Sequence, residues 1–153
     1  LLEASQRIQL VALGSGSLVA RNFASILIQV GKSVIAKVDT YNQFSSVMTL
    51  CTGDLVFVIS FSGQSPHMIS ILKDAKKAGV KIITLTNYTA NPARSLADVQ
   101  LFSVSNVGDN EIPQIVSSTS QQFVVDLLFS QIVSLSPRAR ELIARSRQAA
   151  ESI

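Results

Sequence analysis

The chain alternates between short apolar runs and longer segments in which apolar residues recur at helical spacing. Five of these runs are rich in β-branched residues and are typical of buried strands; they cover residues 8–13, 33–38, 55–60, 80–86 and 99–104. Strands joined through helices lie parallel, because each connection has to cross a face of the sheet. The alternation therefore predicts an α/β domain of three layers, an αβα sandwich around a five-stranded parallel sheet. For this sheet we take the flavodoxin-like, doubly wound order 2-1-3-4-5, which is one of the two common orders.

The last third of the chain is predicted to be mostly helical. A long helix from about Gln114 to Leu135 is apolar nearly all round in its second half, which indicates burial within a domain or in an interface. Pro137 begins a final amphipathic helix, and we interpret its four arginines as a solvated face. We therefore divide the sequence into the end of a linker or helix at 1–7, one domain at 8–135, and a C-terminal helix at 136–153 that packs on this domain.

Composition excludes several classes of function. Hydrophobic residues make up 47% of the 153 residues and the mean hydropathy is +0.36, a surplus that suggests buried parallel strands, a buried oligomer interface, or both. The net charge of +3 is too small to imply nucleic-acid binding by this segment. Cys51 and His67 are the only residues of their types, so an internal disulfide and a Cys- or His-based metal cluster are excluded, and no cofactor is expected.

Nothing in the sequence predicts a membrane or secreted protein. No apolar run approaches the roughly 20 residues that span a bilayer, and Leu1 opens the chain without a basic signal-peptide region. A cytoplasmic location is therefore expected. Because an initiator Met is also missing, we expect the sequence to be a fragment of a longer protein.

Two Ser/Gly clusters mark candidate ligand-binding turns. Residues 14–17 follow the first strand and residues 60–65 follow the third, where Ser65 and Pro66 fit the N-cap and first position of a helix. A turn between a strand and a helix collects free backbone N–H groups and the positive end of the helix dipole, which favours an anion. The serine hydroxyls add neutral donors, and glycine lets the backbone approach a ligand closely.

The predicted sheet order places both clusters at one site. Strands one and three are neighbours in this order, and ligands of doubly wound sheets bind at the switch point between such strands. We therefore expect the clusters to face each other across one crevice that holds a phosphate, although each alone is also compatible with ordinary turn chemistry. A dinucleotide fingerprint is disfavoured because Val19 occupies its third glycine position and Asp39 lies beyond strand two; no Gly-Lys-Ser/Thr of a Walker loop follows either cluster.

Other polar residues leave alternatives open. His67, just inside a helix start, could be an acid/base for sugar isomerisation, but a surface residue that tunes the charge of the pocket is favoured. Glu111 either reaches into the crevice or is a solvated loop acid. Residues 117–120 either supply hydroxyls to a ligand or cap the long helix, and Cys51 is interpreted as structural.

The segment Ser-Phe-Ser-Gly-Gln-Ser at 60–65 resembles the S-x-S-G-x-T/S phosphate-binding motif of the sugar isomerase (SIS) domain. The surrounding pattern is also similar: a Gly/Ser loop after strand one, Gly31 after the first helix, a Gly-Asp turn at 53–54, and the segment 78–87 after the motif. Residues 16–20, residues 125–129 and the closing helix look most like the RpiR/MurR group of bacterial transcription regulators, in which a helix-turn-helix domain precedes the SIS domain.

The resemblance implies an effector-binding domain without catalysis. It implies a phosphorylated sugar as ligand, assembly as a homodimer or tetramer, and DNA binding only through an N-terminal domain presumed absent from this fragment. The phosphate contacts it implies come from the motif and the first loop: Ser60, Phe61, Ser62, Gly63, Gln64 and Ser65, with Ser15, Gly16 and Ser17. The family's first-loop serine aligns with Gly16, so Ser15 or Ser17 would replace it. Sugar contacts are implied for Glu111, Ser118 and His67.

Two other functions stay open. Catalytic relatives use a Glu and a His from further along the chain or from a partner subunit, and no His follows His67 here, which argues for a sensor. The main alternative is a sugar-phosphate isomerase or related lyase with His67 or Glu111 as the base. The weaker alternative is an oligomerisation module that binds no ligand.

Overall fold

A computed structural model describes residues 1–104 and 113–151 of the chain. Strands and helices alternate as the sequence predicts. The elements, in order, are β1 (Arg7–Ala12), α1 (Gly16–Gln29), β2 (Ser33–Ala36), α2 (Thr40–Val47), β3 (Leu55–Ile59), α3 (Pro66–Lys77), β4 (Lys81–Asn87), α4 (Pro92–Leu96), β5 (Val99–Ser103), α5 (Pro113–Leu135) and α6 (Pro137–Ala150).

The five strands form one parallel sheet in the order β2-β1-β3-β4-β5, which confirms the predicted fold class and strand order. The register places Ala12 of β1 opposite Ile59 of β3, and Ile59 opposite Leu85 of β4. The three central strands therefore end nearly level, and the turns that follow them leave the same edge of the sheet. That edge is where ligands bind in doubly wound folds.

Helices cover both faces of the sheet, which explains why the central strands are apolar without alternation. Leu55, Phe57 and Ile59 face the layer of α1 and α5, where the rings of Phe23 and Phe57 pack edge-on with centroids 5.1 Å apart. Val56 and Val58 face the opposite layer, which contains α2, α3 and α4. All five residues of β3 are buried, so this strand is the centre of both cores.

The second strand is shorter than the predicted 33–38. It ends at Ala36, opposite Leu10 of β1, and Val38 beyond it is 64% exposed. Beyond the end of β2, the N–H and C=O groups of Ala12 in β1 form hydrogen bonds with the side-chain amide of Gln43 from α2 and not with a neighbouring strand. A side-chain amide therefore replaces the last rung of the β-ladder on this side of β1.

A partly buried ion pair lies at the opposite edge of the sheet. Asp54, which precedes β3, is 1% exposed and accepts hydrogen bonds from Arg7 at the start of β1, with Nε 3.1 Å and Nη2 2.5 Å from its carboxylate oxygens. The backbone N–H of Cys51 adds a third donor at 3.0 Å. These hydrogen bonds, led by those from Arg7, lower the pKa of Asp54 below its ordinary value against the opposing effect of burial.

α5 is packed on one side only. Val125 is fully buried against α1, whereas Phe123 and Leu127 on the other side of α5 are 63% and 50% exposed. Leu18 of α1 lies beside them in a shallow surface pocket and is 69% exposed. Within residues 1–104 and 113–151, no helix combines the length and the apolar character that a membrane span requires.

β5 is an edge strand with aromatic residues on its surface. Phe102 is 37% exposed and packs edge-on against Tyr88, with ring centroids 5.2 Å apart. The guanidinium of Arg94 lies 4.5 Å from the centroid of Phe102 and donates to the carbonyl of Tyr88 at 2.5 Å. Arg94 therefore covers this aromatic pair with a positive charge.

Candidate functional site

The turn between β3 and α3, residues 60–65, is built around its own serine hydroxyls. The oxygen of Ser60 accepts a hydrogen bond from the N–H of Gly63 at 3.1 Å, and that of Ser62 accepts from Gln64 at 3.3 Å. Ser65 is the N-cap of α3, as the sequence predicts, with its oxygen 3.5 Å from the N–H of Met68. Each hydroxyl accepts within the turn, and none of the three hydroxyl hydrogens has an acceptor among the described residues.

The hydrogen bonds of the fold use only some of the backbone donors of this turn. The N–H groups of Gly63 and Gln64 are used inside the turn, and that of Ser60 donates to Leu85 of β4 at 3.0 Å. In the described part of the chain, the N–H groups of Phe61, Ser62 and Ser65 have no partner. Three hydroxyl hydrogens and three amide hydrogens therefore stay available next to the N-terminus of α3, where the helix dipole favours an anion.

The first Ser/Gly turn, residues 14–17, touches the end of β3. A Cβ added to Gly16 would lie 2.9 Å from the carbonyl oxygen of Ile59, so only glycine allows this approach. Gly14 has φ of +58°, a conformation that glycine adopts without strain. The structure thus brings both Ser/Gly turns together at the carboxyl edge of the sheet, with α1 and α3 both starting there.

The two serines of the first turn differ in their contacts. Ser17 is half-buried, and its hydroxyl donates to the carbonyl of Ala12 at 3.4 Å. Ser15 is the N-cap of α1, but its side chain makes no capping hydrogen bond. Of the two residues predicted to replace the family's first-loop serine, Ser15 therefore has the hydroxyl that is free among the described residues.

Gln43 supports the first turn, and sequence reasoning missed it. It is 1% exposed, its Oε1 accepts from the N–H of Ala12 at 3.2 Å, and its Nε2 donates to the carbonyl of Ala12 at 2.9 Å. Nε2 also lies 3.3 Å from the carbonyl of Val38. These bonds fix the last residue of β1, from which the turn starts. The only feature of the sequence that could have indicated this role is that Gln43 is a polar residue inside an amphipathic helix.

His67 is engaged with the neighbouring helix α2. It is half-buried at the second position of α3, with its Nε2 3.2 Å from the carbonyl oxygen of Thr40 and its ring centroid 6.3 Å from that of Phe44. Since a carbonyl can only accept, Nε2 carries the hydrogen in this contact. The ring is thus positioned at the rim of the crevice and held by α2.

The residues predicted to contact the sugar differ in what the structure shows of them. Glu111 lies outside the described residues. Ser118 donates to the carbonyl of Ile115 at 3.0 Å within α5 and lines the surface pocket beside Leu18. Ser117 and Gln121 are instead each 1% exposed on the inner side of α5, and Ser117 Oγ and Gln121 Nε2 have no hydrogen-bond partner among the described residues. The sequence named 117–120 as a group but could not tell which hydroxyl faces inward.

Neither Ser/Gly turn contains a charged residue, so the site would hold an anion through hydroxyls, amides and helix dipoles. Within the described residues, no group of three or more His, Cys, Asp or Glu side chains is arranged to hold a metal ion. The arrangement suits a phosphate group, which offers many acceptor oxygens to converging neutral donors.

The family model of the SIS domain matches residues 1–131, and this chain therefore belongs to the SIS domain family. The Vibrio vulnificus NanR protein complexed with ManNAc-6P is similar in structure, with a TM-score of 0.89 and 24% identity over 99% of this chain and 57% of that chain. This chain thus spans little more than half the length of NanR.

Regulators and enzymes both occur among the similar structures. The sugar isomerase domain of an RpiR transcription factor from Sphaerobacter thermophilus has a TM-score of 0.81 and 21% identity, covering 96% of this chain and 81% of that chain. A phosphoheptose isomerase from Francisella tularensis has a TM-score of 0.71 and 22% identity, covering 88% of this chain and 79% of that chain. At these identities the similarity shows a common fold.

Proposed function

We propose that this chain is the sugar-phosphate-binding effector domain of a bacterial helix-turn-helix regulator of the RpiR type, and that it carries out no catalysis. The observation that carries the proposal is the contact of Gly16 with the end of β3, which joins two donor-rich turns and two helix N-termini into one anion site. In this proposal the phosphate is held by the motif at 60–65 together with Ser15, Gly16 and Ser17.

A sensor is favoured over an isomerase by the state of the one histidine. An acid/base must reach the proton that it transfers, whereas the Nε2 of His67 is directed at the carbonyl of Thr40. Because a phosphoheptose isomerase has the same fold, a sugar-phosphate isomerase is the second candidate function. Glu111 would be its base.

Binding is tested by isothermal titration calorimetry and thermal shift with a panel of aldose and ketose phosphates that includes N-acetylmannosamine 6-phosphate. We expect at least one member to bind and to raise Tm. Ser62→Ala removes one free hydroxyl and should weaken binding about tenfold or more, in line with a hydrogen bond to a charged group. Ser70→Ala, an exposed serine on α3, is the control. No shift with any member, or full affinity in Ser62→Ala, contradicts the proposed site.

Catalysis is tested with the same panel by following aldose–ketose interconversion by NMR. We expect no turnover in the native chain. Turnover that disappears in Glu111→Ala would refute the sensor proposal and establish the isomerase. No binding at all would instead favour the module that serves oligomerisation alone.

We further propose that the chain assembles as a homodimer or tetramer through the outer face of α5. This face presents Phe123 and Leu127 next to Leu18 of α1, and apolar surface of this kind is stabilised by a partner. Ligand binding would shift the assembly and so reposition DNA-binding domains attached to this one in the cytoplasm. Phe123→Asp should lower the mass measured by light scattering, whereas Ser25→Asp on an exposed part of α1 should not.

A further inference from the structure

The loop between β4 and α4, residues 88–91, and the elements beside it brace the 60–65 turn. The N–H of Asn87 donates to the carbonyl of Phe61 at 3.0 Å, and the N–H of Ala93 donates to the carbonyl of Gly63 at 3.2 Å. The side chain of Asn91 lies directly against Gly63. A Cβ at Gly63 would overlap Asn91 Oδ1 and lie 2.5 Å from its Cγ.

The amide of Asn91 is fixed in one orientation. It is 8% exposed, its Oδ1 accepts from the N–H of Arg94 at 3.1 Å, and its Nδ2 donates to Thr86 Oγ1 at 3.1 Å and to the carbonyl of Thr89 at 3.0 Å. A backbone N–H can only donate and a carbonyl can only accept, so the two ends of the amide are not interchangeable. The side chain is therefore a rigid spacer between α4 and the turn.

We propose that Asn91 is a positioning residue for phosphate binding, which sets the path of the 60–65 turn through Gly63 and keeps the space beneath it uncharged. The inference rests on the proposed phosphosugar site. Gly63 has φ of +64°, so the turn has a sharp local bend that its own serines alone do not fix. A carboxylate at position 91 would lose the two donated bonds and place a negative charge under a site for a dianion.

The decisive variant is Asn91→Asp, with Gln100→Glu as the matched amide-to-acid control on exposed β5. Dissociation constants are measured by calorimetry for inorganic phosphate and for the phosphosugar of the panel that binds the native chain most tightly. We expect Asn91→Asp to bind both probes at least about tenfold more weakly, and Gln100→Glu to stay within about twofold of the native chain.

The pH dependence separates positioning from a general loss of structure. The ratio of dissociation constants between Asn91→Asp and the native chain should fall as the pH is lowered from about 8 to about 5, because phosphate loses its second charge near pH 6. A ratio that is constant across this range, in a variant with native Tm, would overturn the charge argument. If the ratio is close to one, the Asn91 proposal fails while phosphosugar binding by the native chain still stands. If the native chain binds no probe, both proposals fail.

A second comparison does not depend on the stability of Asn91→Asp. Gly63→Ala introduces the overlap with Asn91, and Asn91→Ser shortens the side chain while keeping an oxygen that can cap α4. We expect Gly63→Ala to weaken phosphosugar binding about tenfold or more in the native background and clearly less in the Asn91→Ser background. Equal losses in both backgrounds would show that residues 63 and 91 act independently, and would overturn the proposal.

Discussion

Gly16→Ala tests whether the two Ser/Gly turns have to touch. The added methyl group would lie 2.9 Å from the carbonyl oxygen of Ile59, and a backbone atom cannot rotate away as a side chain would. Either α1 or the end of β3 must therefore move by a few tenths of an ångström. Overpacking of this kind costs about 1–3 kcal/mol, and each kcal/mol lowers Tm by about 2–4 °C in a domain of this size.

The same displacement should reduce ligand binding. The carbonyl of Ile59 precedes Ser60 directly, so a shift of this atom changes the start of the 60–65 turn. One misaligned hydrogen bond to a charged group is worth about 1.5–3 kcal/mol, which corresponds to at least about tenfold in the dissociation constant. We expect Gly16→Ala to lose this much affinity for the best phosphosugar of the panel.

Gly14→Ala is the matched control because it lies in the same turn. Its φ of +58° makes alanine unfavourable by about 1–2 kcal/mol, but no atom lies within 4 Å of the added Cβ. Both variants should therefore lose stability in chemical denaturation, and only Gly16→Ala should lose affinity in calorimetry. If the two lose affinity equally, or if Gly16→Ala binds as the native chain does, contact between the turns is not what builds the site.

Three further predictions concern side chains around the sheet. Arg7 lowers the pKa of Asp54 on folding, so the ionised carboxylate stabilises the fold fully above the pKa of an unfolded Asp, about 3.9. This stabilisation is lost as the pH falls through the lower pKa of the folded state. Urea midpoints should therefore drop in this pH range for the native chain, and they should drop less for Asp54→Asn. Gln43→Met leaves the N–H of Ala12 unpaired and its carbonyl with only the long hydrogen bond from Ser17, and it should cost about 1–3 kcal/mol in denaturation and weaken phosphosugar binding. Ser117→Ala removes a buried hydroxyl without a partner among the described residues, and it should leave Tm unchanged or raise it; a fall in Tm would reveal a partner for the hydroxyl.

Much of the fold could be predicted because it depends on local patterns. Apolar runs separated by helical periodicity predict five parallel strands joined through helices, and the order 2-1-3-4-5 comes from the common doubly wound orders. The start of α3 was also readable, since Ser65 before Pro66 is a local capping signal. The meeting of the two Ser/Gly turns followed from the order of β1 and β3.

The supporting contacts could not be predicted, because they join residues that are distant in sequence. Gln43 bonds Ala12 31 positions away, and Asn91 lies against Gly63, yet in the sequence both are simply polar residues near the ends of elements. β2 ends where the side chain of Gln43 takes over hydrogen bonding to β1, and this distant contact could not be read from the apolar run that predicted a longer strand. The inward direction of Ser117 depends on the rotation of α5 about its axis, which a helix apolar nearly all round does not define.

The position of Arg94 over Phe102 has a consequence for how the protein can assemble. Among the described residues β5 ends the sheet, so one row of its backbone N–H and C=O groups has no neighbouring strand there, and such rows are where sheets of separate molecules join and aggregate. The guanidinium over Phe102 is bonded to the carbonyl of Tyr88 and the side chain of Gln100, and a second, identical strand docking at β5 would bring another such charge towards it. The repulsion between these charges would oppose continuous growth of the sheet from molecule to molecule.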